Sequence, residues 1–582
     1  MSSSFRFALA LASSCLLWVA APATADEPYF REVGRERGLP GELFSGRNRF
    51  CDLDGDGWPD VILANRHVYR NVPAPGGGRR FVEVPGALGL GEKEPTPVLL
   101  CFADLDHDGD RDAFLGVKGD ARDPKWKDPG VRSRILINVG GLRFRPSSTK
   151  LGLAPESLVA GGFFDRDHDG WLDLVLGNSY RARGGPLEAY PARLLAGGPR
   201  LSFREATQPA GLSLRPQAGR PDSRRPVFGV SFADLDGDGW SEVLLCAYGR
   251  QRNLLYLNQG DGSFREVGQE TRFSGDADQS GAYPQSTKDM FKRRFGQARE
   301  DEAPFRSNGN TFDAPCGDYD NDGDLDVFLG EITHAWAGPS SDRSAVLTNG
   351  GEPLGFRRTA ETALPRSHAT PNWNQGDLYA GWLDVDNDGR LDLLVASGEY
   401  PDDQRLRLFW QTPERTFVDR TKAAGLDWPS CTGMSLADYD RDGDVDVLVG
   451  KSNNRLSGPL RHKVLRPALY ENQVGSRQSW LNVRLVGRGP AEGGAARDAL
   501  GARVTVWAEG VQHVRQIVGS KGHAGHNDAL EAAFGLGGAA KVDKLEVRWP
   551  NRDNSRSTFW DLKPGQRLVI REGAPKVEVV ER

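Results

Sequence analysis

Polarity alternates over short distances along this chain. Apolar runs of three to five residues, such as Val61-Ile62-Leu63-Ala64 and Val327-Phe328-Leu329, each follow an acidic stretch that contains glycine. Runs this short, rich in branched side chains and bounded by Gly and Asp, predict buried strands rather than helices. The pattern recurs seven times: CDLDGDGWPDVILA from Cys51, ADLDHDGDRDAFLG from Ala103, FDRDHDGWLDLVLG from Phe164, ADLDGDGWSEVLLC from Ala233, GDYDNDGDLDVFLG from Gly317, LDVDNDGRLDLLVA from Leu383 and ADYDRDGDVDVLVG from Ala437. The leading aspartates lie 52 to 84 residues apart. A second element recurs in constant phase, around Phe30, Phe81, Phe144, Phe203, Phe264, Phe356 and Phe417. Between the two lies a short strand that ends in asparagine in most copies: Asn71, Asn138, Asn258, Asn349 and Asn472.

Each unit thus holds several short strands with Gly and Asp turns between them, the pattern of a propeller blade. The expected fold is all-β: a seven-bladed β-propeller with Ca-binding hairpin loops, followed by a small β-rich C-terminal domain. The chain opens on the Phe-type strand and closes its last unit at Asn472 without one. Phe30 to Val33 is therefore expected to supply the missing strand of the last unit, which fastens the ring and removes an exposed edge.

The acidic motif reads D-x-D-x-D-G-x-x-D, numbered here 1 to 9. Alternate carboxylates turn toward one centre as the backbone curls, Gly at position 6 permits the sharp turn, and position 7 offers a carbonyl whatever its side chain. The candidate ligands are Asp52, Asp54, Asp56, Trp58 and Asp60 in the first copy, and Asp104, Asp106, Asp108, Asp110 and Asp112 in the second. The third and fourth hold Asp165, Asp167, Asp169, Trp171 and Asp173, then Asp234, Asp236, Asp238, Trp240 and Glu242. The fifth has Asp318, Asp320, Asp322, Asp324 and Asp326; the sixth has Asp384, Asp386, Asp388, Arg390 and Asp392. The seventh has Asp438, Asp440, Asp442, Asp444 and Asp446. Glu242 brings its oxygen on a longer arm. Hard oxygen donors in a flexible loop suit Ca²⁺, at up to seven sites, over Zn²⁺, copper or Mg²⁺. An EF-hand needs glutamate at position 12, where this chain has Leu63, Leu115, Leu176, Leu245, Leu329, Val395 and Val449. The competing reading is a polar hairpin held by its own Asx hydrogen bonds, without metal.

Composition adds bounds. The 582 residues suffice for three to four average domains, or for one large repeat array and something smaller. A net charge of −6 gives no sign of nucleic acid or an anionic membrane as partner. Residues 1–25, with Arg6, an apolar run and Ala23-Thr24-Ala25, read as a signal peptide. A membrane anchor or lipidation at Cys15 are the alternatives. No later segment has the length and apolarity of a transmembrane helix. Of the other cysteines, Cys51, Cys101, Cys316 and Cys431 lead into acidic motifs and Cys246 follows one. They read as small buried strand residues, with one or two long-range disulfides as the alternative.

The seven motifs and their flanks, over residues 28 to 475, resemble FG-GAP/VCBS-type repeats, as in the integrin α propeller. That resemblance implies Ca²⁺ in the hairpin loops. Gly501-Ala502-Arg503-Val504, Phe534-Gly535-Leu536-Gly537 and Trp549-Pro550 resemble the ASPIC/UnbV domain. The order of the two is similar to the cartilage acidic protein family, which implies matrix or surface association. The expected organisation is a signal peptide at 1–25, propeller at 26–475, ASPIC/UnbV-like domain at 476–573 and a tail at 574–582. In GSKGHAGHND, His523, His526 and Asp528 suggest a metal site or, more simply, a polar loop.

Three functions remain open. The first is an exported protein- or glycan-binding adhesion module; its candidate contact surface is the insertion between Phe264 and Asp318, with Tyr283, Phe291, Phe295, Lys292, Arg293 and Arg294. The second is an enzyme acting on extracellular polysaccharide, although no G-x-S-x-G or H-E-x-x-H motif occurs. The third is a structural surface component assembled through the C-terminal domain. The sequence is silent on oligomeric state.

Overall fold

The computed structural model describes residues 28–118, 132–153, 156–180, 189–213, 225–278, 280–301, 309–359, 362–366, 374–398, 404–454 and 456–580. The expected leader lies outside them. The fold is all-β. Each acidic motif forms the hairpin between the first two strands of a small antiparallel unit, as its Gly and Asp turn residues dictate. In the first unit the strands are Arg49–Cys51, Asp60–Leu63, His67–Pro73 and Arg79–Glu83, paired in that order. The second unit runs from Leu99–Ala103 to Phe144–Pro146, the third from Leu158–Phe164 to Ser202–Glu205 and the fourth from Val227–Ala233 to Phe264–Glu266. The apolar runs after position 9 are the second strands, buried along their length in Asp60–Leu63, Asp112–Gly116, Asp173–Asn178 and Glu242–Ala247.

The fifth and sixth units depart from the simple pattern. The first strand of the fifth is split into Thr311–Asp313 and Cys316–Gly317, both paired with Asp326–Thr333. The break falls at Ala314-Pro315, where proline has no N–H for the ladder. The long strand Asp326–Thr333 also pairs with Gln375–Leu383 of the sixth unit, through Ile332↔Gly376 and Thr333↔Gln375, so the two units share one nine-stranded sheet. In the last unit Cys431–Ala437, Asp446–Lys451 and Ala468–Asn472 are joined by Phe30–Glu32 from the other end of the chain, in register Phe30↔Asn472 and Glu32↔Tyr470. The expected clasp is present, and Phe30 is buried beneath it. From the second unit to the last, first strands of neighbouring units lie side by side, and Arg49–Cys51 of the first contacts Cys431–Ala437 of the last. The arrangement is propeller-like.

After Asn472 the chain forms two further four-stranded sheets. One holds Ala532–Gly537, Ser479–Val486, Gln566–Arg571 and Glu578–Val580; the other holds Val511–Gln516, Arg503–Ala508, Val542–Arg548 and Arg556–Leu562. Their apolar interior is continuous with that of the second and third units: Leu481, Val504, Phe534 and Trp549 belong to one buried cluster with Leu99, Phe114, Phe163 and Leu174. The connection from Gln516 to Ala532 leaves these sheets and enters the middle of the ring. There it touches the first strand of every unit. The Arg49 guanidinium donates to Gly525 O at 3.1 Å, Phe102 N to Ser520 Oγ at 3.1 Å, Ala524 N to Val159 O at 2.9 Å and Gly522 N to Val230 O at 2.6 Å. The His523 ring lies against Phe312 and Tyr379, and Leu436 N donates to Asp528 Oδ1 at 2.9 Å.

The expectation of a polar loop at GSKGHAGHND is therefore corrected, since the segment is buried. His526 and Asn527 are 2% exposed. Gly522 and Gly525 hold positive φ, and a Cβ on Gly525 would stand 2.7 Å from Cys101 Sγ, so glycine is required by close packing. Nor do the three candidate ligands converge. Asp528 pairs with Lys521 at 2.7 Å, and His523 Nδ1 meets Phe228 O at 3.0 Å. The five described cysteines are free thiols, four of them buried.

Candidate metal centre

All seven loops share one hydrogen-bond scheme. The position-9 carboxylate accepts from the backbone N–H of position 2: Leu53 to Asp60 at 3.2 Å, Leu235 to Glu242 at 2.7 Å, Tyr319 to Asp326 at 3.1 Å and their equivalents. Its other oxygen accepts from the backbone of the third strand, as from Asn71 to Asp60 and Asn472 to Asp446, both at 2.9 Å. Position 9 thus braces the loop against its own unit. Position 5 accepts from the position-7 N–H in every copy, for example Trp240 to Asp238 at 2.8 Å. In six of the seven copies position 1 also accepts from the position-6 glycine, for example Gly389 to Asp384 at 2.8 Å, and Asp318 is the exception.

Within this frame the carboxylates converge. Oxygens of Asp52, Asp54 and Asp56 lie within 4.8 Å of one another, as do those of Asp104, Asp106 and Asp108. In the next three copies position 9 joins positions 1 and 3: Asp165, Asp167 and Asp173; Asp234, Asp236 and Glu242; Asp318, Asp320 and Asp326. Many of the inward oxygens are buried with no hydrogen-bond partner: Oδ1 of Asp52, Asp54, Asp104, Asp320, Asp386, Asp438 and Asp440, and both oxygens of Asp318. Burial first, then a neighbouring carboxylate, pushes Asp104 up to about 8, Asp326 to about 9 and Asp440 to about 7. The neighbours are Asp498, Asp320 and Asp442 respectively. Orphaned, clustered carboxylate oxygens with no nitrogen or sulfur donor fit a hard divalent cation. Positions 1 and 3 would hold it, and its charge would relieve their mutual repulsion. The third, fourth and sixth copies differ at position 1, since the Asp165 oxygens accept from Asp169 N and Gly170 N, those of Asp384 from Asp388 N and Gly389 N, and those of Asp234 from Gly239 N and Arg548.

The position-7 tryptophans serve the contacts between loops. Position 4 is in left-handed conformation in every copy and, in the five copies where it is not glycine, its side chain reaches the neighbouring loop. His107 packs on Trp171, His168 stacks on Trp240 at 3.8 Å, and Arg441 of the last loop covers Trp58 of the first at 3.6 Å. Asn321 donates to Gly389 O at 2.9 Å and Asn387 to Gly443 O at 3.0 Å. Arg390 turns back to pair with Asp388 of its own loop. The strand-end asparagines add a second stitch. Asn138 donates to Leu53 O, Asn258 to Arg166 O, Asn349 to Leu235 O and Asn472 to Val385 O, each the position-2 carbonyl of the preceding loop. Asn71 reaches Tyr439 O at 2.9 Å and so joins the first unit to the last. Gln411 plays the part in the sixth unit, while the third has Gly197 at that register and no side chain to offer.

The C-terminal sheets lie over these loops and set arginines on position 1. Arg484 is 3.2 Å from Asp52, Arg497 3.6 Å from Asp104, Arg548 3.1 Å from Asp234 and Arg567 3.8 Å from Asp438. Asn482 donates to Asp438 at 2.8 Å, and Asp498 accepts from Asp104 N at 2.7 Å. The half-buried Arg515 faces both Asp384 and Asp318 and borders a cavity of about 150 Å³ with Trp382, Lys521 and Glu531. None of these arginines was expected from the sequence. The signal available was their alternation on strands such as NVRLV and EVRWP, which says that they share a face but not what covers it.

Comparison with known proteins fits this geometry. The FG-GAP-like repeat model matches residues 52–115, 234–284 and 384–449, and the ASPIC and UnbV model matches 492–577. The chain carries FG-GAP-like repeats and a C-terminal ASPIC and UnbV domain. Cartilage acidic protein 1 of Xenopus tropicalis is 23% identical over 329 residues, which span 56% of this chain and 41% of that relative's length. Among solved structures, BBS1N in complex with ARL6DN aligns with TM-score 0.35 at 11% identity, over 74% of this chain and 94% of that one. The V. cholerae biofilm matrix protein Bap1 aligns with TM-score 0.28 at 13% identity, over 75% of this chain and 63% of that one. Each first matched repeat segment begins at or near a position-1 aspartate, so the repeats and the acidic hairpins are the same feature.

Proposed function

We propose that this chain is an exported, calcium-stabilised, seven-bladed β-propeller that acts as a protein- or glycan-binding adhesion module outside the cell. The observation that carries the calcium reading is the set of orphaned buried oxygens at positions 1 and 3. Leaving a buried acceptor unpaired costs about 1–3 kcal/mol, more when charged, and a bound cation removes that cost several times over. The match to cartilage acidic protein 1 supports the extracellular setting. We propose no catalytic role.

The contact surface is sought at the end of the ring opposite the loops, since the loop end and the centre are covered by the chain's own C-terminal part. The insertion after Glu266 emerges at that opposite end, because it enters the first strand of the fifth unit from the side away from its hairpin. It carries the helix Gln285–Phe295, with exposed Lys292, Arg293 and Arg294 and with Phe295 63% exposed. Tyr283 is removed from the candidate surface: it is 5% exposed and stacks on Trp336. Residues 302–308 of the insertion lie outside the described residues. The test is capture of the chain on immobilised extracellular matrix proteins and acidic and neutral polysaccharides, in Ca²⁺ and in chelator. Calcium-dependent capture that Phe295→Ala with Arg293→Glu weakens supports the reading. Absence of capture on every surface, or capture indifferent to calcium and to these changes, overturns it.

A further inference from the structure

A second acidic cluster forms at the end of the ring opposite the seven loops. Asp276 and Asp278 lie in the connection from the fourth unit to the fifth, and Glu331 and Asp342 lie at and after the end of the strand Asp326–Thr333. In an antiparallel unit both connections emerge away from the hairpin that joins the first two strands, so this cluster is remote from every acidic loop. Asp342 is 5% exposed. Its Oδ2 accepts from Asp276 N at 2.9 Å, while its Oδ1 is buried and has no hydrogen-bond partner. Asp276 Oδ1 in turn accepts from Asp278 N at 2.7 Å. Glu331, 1% exposed, accepts from Asn310 N at 2.6 Å and Thr311 Oγ1 at 2.5 Å.

Charge is unbalanced here. Burial raises Asp342 well above the usual carboxylate range, and Asp276 and Glu331 push it further; burial likewise lifts Glu331 to about 7. Among the described residues, Arg358 is the cation that most lowers Asp276, Glu331 and Asp342, beside four carboxyl groups. An orphaned buried carboxylate oxygen beside other carboxylates calls for a cation, and an all-oxygen donor set selects a hard one.

We propose that Asp276, Asp278, Glu331 and Asp342 form a further divalent-cation site, of calcium-like chemistry, separate from the seven hairpin loops. It pins the insertion to the fifth unit. The same two segments also meet through Ser340 Oγ to Ala282 O at 2.8 Å and Thr287 Oγ1 to Trp336 O at 2.5 Å, so a cation here would order the helix Gln285–Phe295 and its exposed basic face.

Hydrogen exchange of the full chain, followed by mass spectrometry in Ca²⁺ and in chelator, reads this site apart from the loops. Peptides covering 274–278 and 334–342 are expected to exchange about tenfold more slowly in Ca²⁺. Asp342→Asn is expected to abolish that difference there and leave the response of the hairpin peptides intact. Asp278→Asn, at a half-buried position, provides the same comparison if Asp342→Asn lowers the yield of folded protein. Unchanged exchange in wild-type peptides on adding Ca²⁺, or an equal calcium response in wild type and both variants, would overturn the proposal.

Discussion

The repeat array and the C-terminal part handle charge in opposite ways, and they meet along one surface. In the array carboxylates are concentrated at fixed positions of a repeated hairpin, and their unpaired oxygens turn inward. In the C-terminal part the charges that matter are arginines at irregular intervals, most of them set on one particular loop and Arg515 facing two. Asp234 shows the arginine solution, since Arg548 lies 3.1 Å away and also donates to Gly237 O at 2.8 Å. Asp318 shows the other, with both oxygens unpartnered and Arg515 acting only at longer range. Loops that look alike in sequence therefore differ in how far they depend on a cation, and that difference is set by the surface above them.

The comparison can be broken most severely by removing one side. A chain ending at Asn472 exposes Leu99, Phe163 and Leu174, which share a buried cluster with the C-terminal sheets, and it empties the centre of the ring. We expect loss of a cooperative melt; two independent transitions in the full chain, one of them retained on truncation, would mean that the halves fold separately. The next effect is on pH. Burial first, with Arg47 or Lys521 adding to it, holds His523 and His526 near 3, below the ordinary 6.5. Above 6.5 both states keep these rings neutral. Below it the unfolded chain takes up protons that the folded chain refuses until near pH 3, so stability falls as pH falls. At pH 5 the loss is about 2 kcal/mol for each ring. Substituting both by Gln should flatten the melting temperature between pH 7 and 5, relative to wild type.

Arg548→Ala comes next. It removes the closer of the two arginines at buried Asp234 and leaves Arg503 at 3.8 Å, and breaking such a pair costs about 3 kcal/mol. Urea unfolding should show most of that loss in chelator and less in Ca²⁺. A loss equal in both would mean that the fourth loop takes no cation. The smallest effect is at the stitches. Asn349→Ala removes one side-chain donor from Leu235 O and should cost about 1–2 kcal/mol. The same change at Asn472, beside the clasp, should match it if all stitches are equivalent.

How much of this the sequence carried depends on periodicity. The seven hairpins, the strands after them and the Phe30 clasp were all legible, because a tight acidic turn demands Gly at position 6 and buried strands demand apolar runs. The strand-end asparagines were visible as a repeated mark, but their partners are the preceding loops, up to 368 residues away for Asn71 and Tyr439. Position 4 was opaque because His107, His168 and Arg441 are unusual residues for left-handed backbone and vary between copies. The arginine face was opaque for a similar reason: Arg484 meets Asp52 and Arg567 meets Asp438 without any repeat to flag them. At GSKGHAGHND the sequence suggested a polar loop, whereas Gly522 and Gly525 are there because Asp313, Cys101 and Leu99 leave no room for a side chain.

The central claim is that cations complete the seven loops. The direct measurement is thermal unfolding of the chain from residue 26 in excess Ca²⁺ and in chelator, with bound calcium counted on the same sample. The account predicts several ions per chain and a large calcium-dependent rise in melting temperature. The same melting temperature in both solutions, with no bound ion, would contradict it and leave the acidic hairpins holding themselves.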